Sequence, residues 1–144
     1  MGQAIILIRR TPHVLAALVP KFHDAKSSSR RTVTIWGSGR PRREFLYVDD
    51  LASACLPLLQ YYDAEEPINV GTGEDLSIAE LAATVREVVY PTAEIEYDPT
   101  KPDGVPQKLL DVSRIQALGW RHHMELREGI EQTYRWYLEH ELRA

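Results

Sequence analysis

The 144-residue chain has a single cysteine, Cys55, so no disulfide can close within it, and the composition suits a reducing cytoplasm. No apolar run approaches the ~20 residues of a membrane span. The stretch "AIILI" at positions 4–8 is also shorter than the roughly 7–15 residues of a secretory-signal core and has no basic region ahead of it. Together these shortages predict a soluble, cytoplasmic protein. Acidic residues are missing from Lys26 to Arg43, where six Lys/Arg fall, leaving 11 Lys/Arg against all 21 Asp/Glu elsewhere. A chain with a net charge of −4 and one basic segment points to a local anion site. It argues against nucleic acid as a partner, since Trp36 is the only aromatic in that segment available to stack a base. Also missing is any G-x-G-x-x-G or G-x-x-G-x-x-G after a strand-like run, which excludes the start of a dinucleotide-binding βαβ unit. "VGTGEDLS" (70–77) comes nearest but lacks the third glycine, and it reads as a strand-to-helix turn. The pair His122-His123 has no third ligand at metal spacing, so no metal site is expected.

What is present alternates between helix and strand patterns, in a chain that is 44% hydrophobic and long enough for one domain. Pro12 marks a helix start, followed by Val14, Leu15, Leu18, Val19 and Phe22 at helical spacing, with Pro20 expected to kink or shorten the helix. The β-branched run 32–36 and the run "REFLYV" (43–48) predict strands, and "DLASACLPLLQYY" predicts a helix distorted at Pro57. A third strand is expected at "PINVG" (67–71). Ser77 and Glu80 have the spacing of a capping box opening a helix, "AEIEYD" reads as a strand, and "DVSRIQALGW" holds a short helix. A last helix places Leu126, Ile130, Tyr134, Tyr137 and Leu138 on one face. The alternation argues for an α/β fold. Asp49-Asp50, at a strand-to-helix junction, reads as helix capping and macrodipole complementarity. Cys55 reads as a buried core thiol, and Arg40 and Arg42 as solvated charges.

The segments "HVLAALVPKFHDAK", "WGSGRPRREF", "REFLYVDDLASAC", "INVGTGEDLSIAELA" and "KPDGVPQKLLDVSR" occur in an order that resembles the GDP-L-fucose synthase family of extended short-chain dehydrogenase/reductases. The resemblance runs from about Pro12 to Leu138. "REFLYVDD" and "NVGTG" are shared by many sugar-nucleotide epimerases and dehydratases; the other segments are more particular.

The resemblance implies the C-terminal, substrate-binding part of a Rossmann-type enzyme without its N-terminal dinucleotide-binding half. Residues 1–11 do not match. Residues 12–144 would form a sugar-nucleotide-binding domain, with 43–61 a residual strand and helix of the Rossmann sheet. The family's glycine-rich NADP-binding unit and its catalytic serine, cysteine and Tyr-x-x-x-Lys pair are not found. Tyr97 and Lys101 have the spacing, but Pro99 and Pro102 deny them a helix. The NADP(H) site of the complete enzyme would thus lie largely outside this chain.

The resemblance carries over five residues. His13 matches a histidine that acts as an acid in epimerisation beside the nicotinamide, a task suited to imidazole. Lys21 stands where an arginine reaches the diphosphate; lysine keeps the charge but loses the bidentate fork. Trp36 and Arg43 match a flat wall and a diphosphate-pairing guanidinium of the sugar-nucleotide pocket. Asp103 matches an acceptor for substrate hydroxyl or guanine N–H groups, although Pro-Asp-Gly alone is a turn signal.

The expected function is therefore that of GDP-L-fucose synthase: epimerisation of GDP-4-keto-6-deoxy-D-mannose at C3 and C5, then NADPH-dependent reduction at C4. The expected ligand is a GDP-sugar, with no membrane association. A homodimer and a complementing N-terminal half remain open as protein partners. Another sugar-nucleotide epimerase or dehydratase, or a non-catalytic binding or scaffolding fragment, remain open as alternatives.

Overall fold

A computed structural model describes residues 13–140, so the predicted helix start at Pro12 and the segment 1–11 lie outside the described residues. In chain order the described elements are α1 (Val14–Ser27), β1 (Thr32–Trp36), β2 (Arg42–Arg43), α2 (Val48–Tyr61), β3 (Leu76–Ser77), α3 (Ile78–Val89), β4 (Glu94–Asp98), β5 (Gln107–Lys108), α4 (Ser113–Ala117) and α5 (Leu126–His140). The fold is α/β. β1 and β4 form a parallel pair, Thr32 opposite Glu94 through Trp36 opposite Asp98. β2 lies between β3, which it meets antiparallel, and β5, which it meets in parallel.

The main core forms where α1, α3 and α5 cover one face of β1. Period-2 alternation in β1 turns Val33 and Ile35 inward and leaves Trp36 outward. Val19 and Phe22 of α1, Leu81, Val85 and Val89 of α3, and Ile130 and Tyr137 of α5 fill the space against them. α3 starts where it does because its cap is complete: Ser77 Oγ accepts from the Glu80 amide (3.1 Å), and Glu80 Oε2 accepts from the Ser77 amide (2.7 Å). Leu81, one residue on, is fully buried, and its truncation to alanine would cost about 2–5 kcal/mol. A second cluster joins Ala54 of α2 to Val112, Ile115 and Trp120 around α4.

Several expectations are corrected. α1 is not shortened at Pro20 but runs on as one 14-residue helix, and α2, with Pro57 inside it, is also 14 residues long. "REFLYV" pairs only at Arg43, where β2 ends, and 67–71 forms no strand. A strand is defined by its neighbour, and among the described residues neither 44–48 nor 67–71 has one. Tyr47, not an aspartate, occupies the N-cap of α2, though Asp49 and Asp50 both fall in its first turn as macrodipole complementarity expects; Asp50 is buried, accepting from the amides of His123 (3.1 Å) and Met124 (2.9 Å). Cys55 is exposed, on a helix that also exposes Leu51, Leu56, Leu59 and Tyr61. Leu138 falls outside the buried face of α5.

Candidate anion-binding cleft

Between the N-terminal half of α1, the end of β1 and the β2–β5 pair lies an open cleft of about 1220 Å³. His13, Lys21, Trp36, Arg43 and Asp103 all line it. α1 supplies His13 at its N-cap and Lys21 two turns on; β1 ends in Trp36; β2 ends in Arg43; the loop after β4 carries Asp103.

His13 makes no side-chain cap hydrogen bond, although its carbonyl accepts from Ala17 N (3.1 Å), so its imidazole is not spent on closing the helix. Lys21 Nζ donates to the Thr34 carbonyl (2.8 Å), and burial pushes its pKa down. The same ammonium lies 5.6 Å from the centroid of Trp36, and Lys101 Nζ stands at an equal 5.6 Å. Trp36, 69% exposed, is thus a broad aromatic wall with cations against it. Arg43 donates through Nη1 to the Arg42 carbonyl (2.7 Å).

Asp103 holds the loop that connects β1 to β2. Its Oδ1 accepts from Ser38 N (2.6 Å) and its Oδ2 from Ser38 Oγ (2.7 Å), and these bonds hold its pKa below the ordinary aspartate value. The loop can approach because Gly37, at φ +82°, has no Cβ; one there would fall on Asp103 Oδ1. Asp103 therefore shapes the cleft mouth through its own loop.

Two further acids bear on the cleft, Asp75 outside its lining and Glu44 within it. Arg42, read from sequence as a solvated charge, donates Nε to Asp75 Oδ1 (2.7 Å) and lies 3.6 Å from Glu80 Oε2. Asp75 also accepts from Gln107 Nε2 (2.5 Å), and the Gln107 and Arg42 bonds together hold its pKa down. Glu44 was missed altogether. It lines the cleft and takes hydrogen bonds from Gly73 N (2.8 Å) and Leu110 N (3.0 Å). A carboxylate next to Phe45 in an apolar run, with the small residues Gly71 and Gly73 downstream, was the only sequence signal for it. Arg43, Lys21 and Lys108 line the cleft as cations, and the two carboxylates that line it with them, Glu44 and Asp103, are both engaged by backbone amides, an arrangement suited to an anion.

The turn 71–77 offers no free amides to a pyrophosphate. The one glycine-containing turn that leads into a long helix, 71–77, ends at the Ser77–Glu80 box, which already uses the amides a pyrophosphate would need. Among the described residues no group of three His, Cys, Asp or Glu could hold a metal, and no helix is long and apolar enough to cross a membrane.

Residues 9–71 match the NAD dependent epimerase/dehydratase family. The chain is 50% identical over 126 residues to GDP-L-fucose synthase 1 of Arabidopsis thaliana, covering 88% of this chain and 39% of that protein. It is 44% identical over 138 residues to the GDP-L-fucose synthase of Escherichia coli strain K12, covering 90% and 43%. This chain is a homologue of GDP-L-fucose synthase. A solved GDP-L-fucose synthetase of Naegleria fowleri bound to NADP superposes with a TM-score of 0.84 at 29% identity, over 92% of this chain and 42% of that one. The chain thus spans about two fifths of the length of the GDP-L-fucose synthases it matches, and its α/β fold corresponds to part of theirs.

Proposed function

We propose that this chain supplies the C-terminal, sugar-nucleotide-binding part of a GDP-L-fucose synthase-type enzyme. The observation that carries the reading is the convergence of His13, Lys21, Trp36, Arg43 and Asp103, spread over 90 positions, on one cleft with three cations. Arg43 and Lys21 pair with the diphosphate, and Arg43 can do so through two parallel N–H donors. Trp36 walls the sugar or base, and Asp103 sets the loop that carries the wall and can accept at its remaining lone pairs. His13 gives or takes the proton at the sugar during epimerisation, since its ring is free of capping duty.

In the complete enzyme the substrate would be GDP-4-keto-6-deoxy-D-mannose, epimerised at C3 and C5 and reduced at C4 to GDP-L-fucose. The dinucleotide site for that reduction is assigned largely to the part of the enzyme outside this chain, with His13 reaching the nicotinamide from this side. This chain's share is binding, orientation and proton transfer.

The test is complementation. The purified chain is mixed with a polypeptide covering the remaining N-terminal part of the E. coli homologue, and NADPH absorbance is followed with the 4-keto sugar. Activity should arise only on mixing and disappear with His13→Ala. Turnover by the 144-residue chain alone would overturn the division of labour. Binding of GDP-mannose without activity on mixing would leave a binding module in place of an enzyme part.

A further inference from the structure

We infer that Glu44 is a positioning residue of the cleft. Its carboxylate, packed against the bare Cα of Gly71, fixes Arg43 and Lys108 side by side so that they grip a diphosphate jointly. The inference rests on the anion-binding reading above.

Arg43 and Lys108 are direct register partners across the parallel β2–β5 pair, and both line the cleft. Like charges placed opposite each other repel. The ladder that holds them is only two residues long, Arg42 with Gln107 and Arg43 with Lys108. Something else must keep the strands together, and a carboxylate stands at each end. On the Arg42 side, Asp75 accepts from both Arg42 Nε (2.7 Å) and Gln107 Nε2 (2.5 Å). On the Arg43 side stands Glu44. Its Oε2 accepts from Leu110 N (3.0 Å), two residues past Lys108, while its Oε1 accepts from Gly73 N (2.8 Å) and Thr72 Oγ1 (3.2 Å). One side chain therefore joins the chain just past β2, the 71–73 turn and the chain just past β5.

The carboxylate needs the space that Gly71 leaves. A Cβ at 71 would lie 2.9 Å from Glu44 Cδ and nearer still to Oε1. Gly71 does not have a left-handed φ, so alanine suits its backbone, and Gly71→Ala perturbs the contact alone.

Charge and position make opposite predictions here. Removing a carboxylate from a cationic cleft should, by Coulomb's law alone, tighten anion binding. Removing the group that spaces Arg43 and Lys108 should weaken it. Gly71→Ala keeps the negative charge and should still weaken binding.

The experiment titrates the 144-residue chain with inorganic pyrophosphate and with GDP-mannose by calorimetry, at a temperature where circular dichroism shows every variant folded. Glu44→Gln and Gly71→Ala are each expected to raise the pyrophosphate Kd about tenfold, and Gly71→Ala should add nothing in a Glu44→Ala background. Should Glu44→Gln fail to fold, Glu44→Asp, which keeps the charge one methylene short, should show the same weakening. Unchanged or tighter pyrophosphate binding in these variants, additive effects of the two sites, or no pyrophosphate binding by the unsubstituted chain would overturn the inference. A chain that binds pyrophosphate as tightly as GDP-mannose, with the variant effects intact, would sink the sugar-nucleotide reading and uphold the role of Glu44.

Discussion

Gly37→Ala offers a graded test of how the cleft mouth is built. At φ +82° an alanine at 37 adopts a left-handed conformation that costs about 1–2 kcal/mol. Gly119, which closes α4 at φ +85°, carries the same conformational cost, but a Cβ there would meet nothing within 4 Å. The two substitutions therefore share one term and differ in a second. At 37 the new methyl displaces the Asp103 carboxylate, which frees Ser38 N and Ser38 Oγ together and releases the loop beside Trp36. Thermal melts should show Gly119→Ala lowering Tm by roughly 3–8 °C, from about 3–4 °C per kcal/mol in a domain of this size. Gly37→Ala should cost more. Calorimetry should then show GDP affinity unchanged in Gly119→Ala and reduced about tenfold in Gly37→Ala, close to the worth of one charged hydrogen bond. Asp103→Ala should match the Gly37 variant in affinity without its conformational penalty. Equal Tm losses for both glycines, with affinity retained in both, would show that the Asp103–Ser38 contact does not shape the site.

Three further outcomes follow from the same structure. The apolar face of α2, with Leu56 64% and Leu59 85% exposed, should bind a hydrophobic dye and drive self-association. Leu56→Lys with Leu59→Glu should reduce both in sedimentation and fluorescence, and a dye-silent monomer before substitution would contradict it. Asp75, Asp103 and Glu80 have pKa values lowered on folding by their hydrogen bonds, so their contribution is present above the unfolded values of 3.8 and 4.5 and lost as pH falls through the folded ones. Tm should accordingly hold from neutrality to about pH 5 and fall below about pH 4, with a shallower fall in Asp75→Asn; an identical acid limb in that variant would refute the assignment. The 144-residue chain alone should not bind NADPH with the 1:1 stoichiometry of a built dinucleotide site, and saturable binding in a fluorescence titration would contradict the fit argued from the capped turn at 77.

Elements specified by local pattern were legible in the sequence. The Ser77–Glu80 spacing marked the start of α3, and the alternation in 32–36 marked both a strand and its buried face. The long amphipathic stretches marked α1 and α5, although Pro20 does not shorten α1, whose buried face, with Val19 and Phe22, continues past it. What was illegible depends on residues distant in sequence. "REFLYV" and "PINVG" have strand composition, but pairing is a property of two segments. Arg42 looked solvated because Asp75 lies 33 residues away. Glu44 was invisible as a site residue because its partners, Gly73 and Leu110, are brought to it only by the fold. Cys55 looked like core because its helix is apolar, yet Leu59 beside it shows that the apolar face extends past what the described chain covers. The five cleft residues were named from family resemblance; their convergence is a property of the tertiary structure.

The central claim, that the cleft recognises a GDP-sugar through its cations, is tested most directly by calorimetric titration of the chain with GDP-mannose before and after Arg43→Ala. The account predicts saturable binding that the substitution weakens by roughly 1.5–3 kcal/mol, the scale of a hydrogen bond to a charged group, while Tm stays nearly constant. Affinity indifferent to Arg43→Ala, or no binding of GDP-mannose by the folded chain, would contradict it.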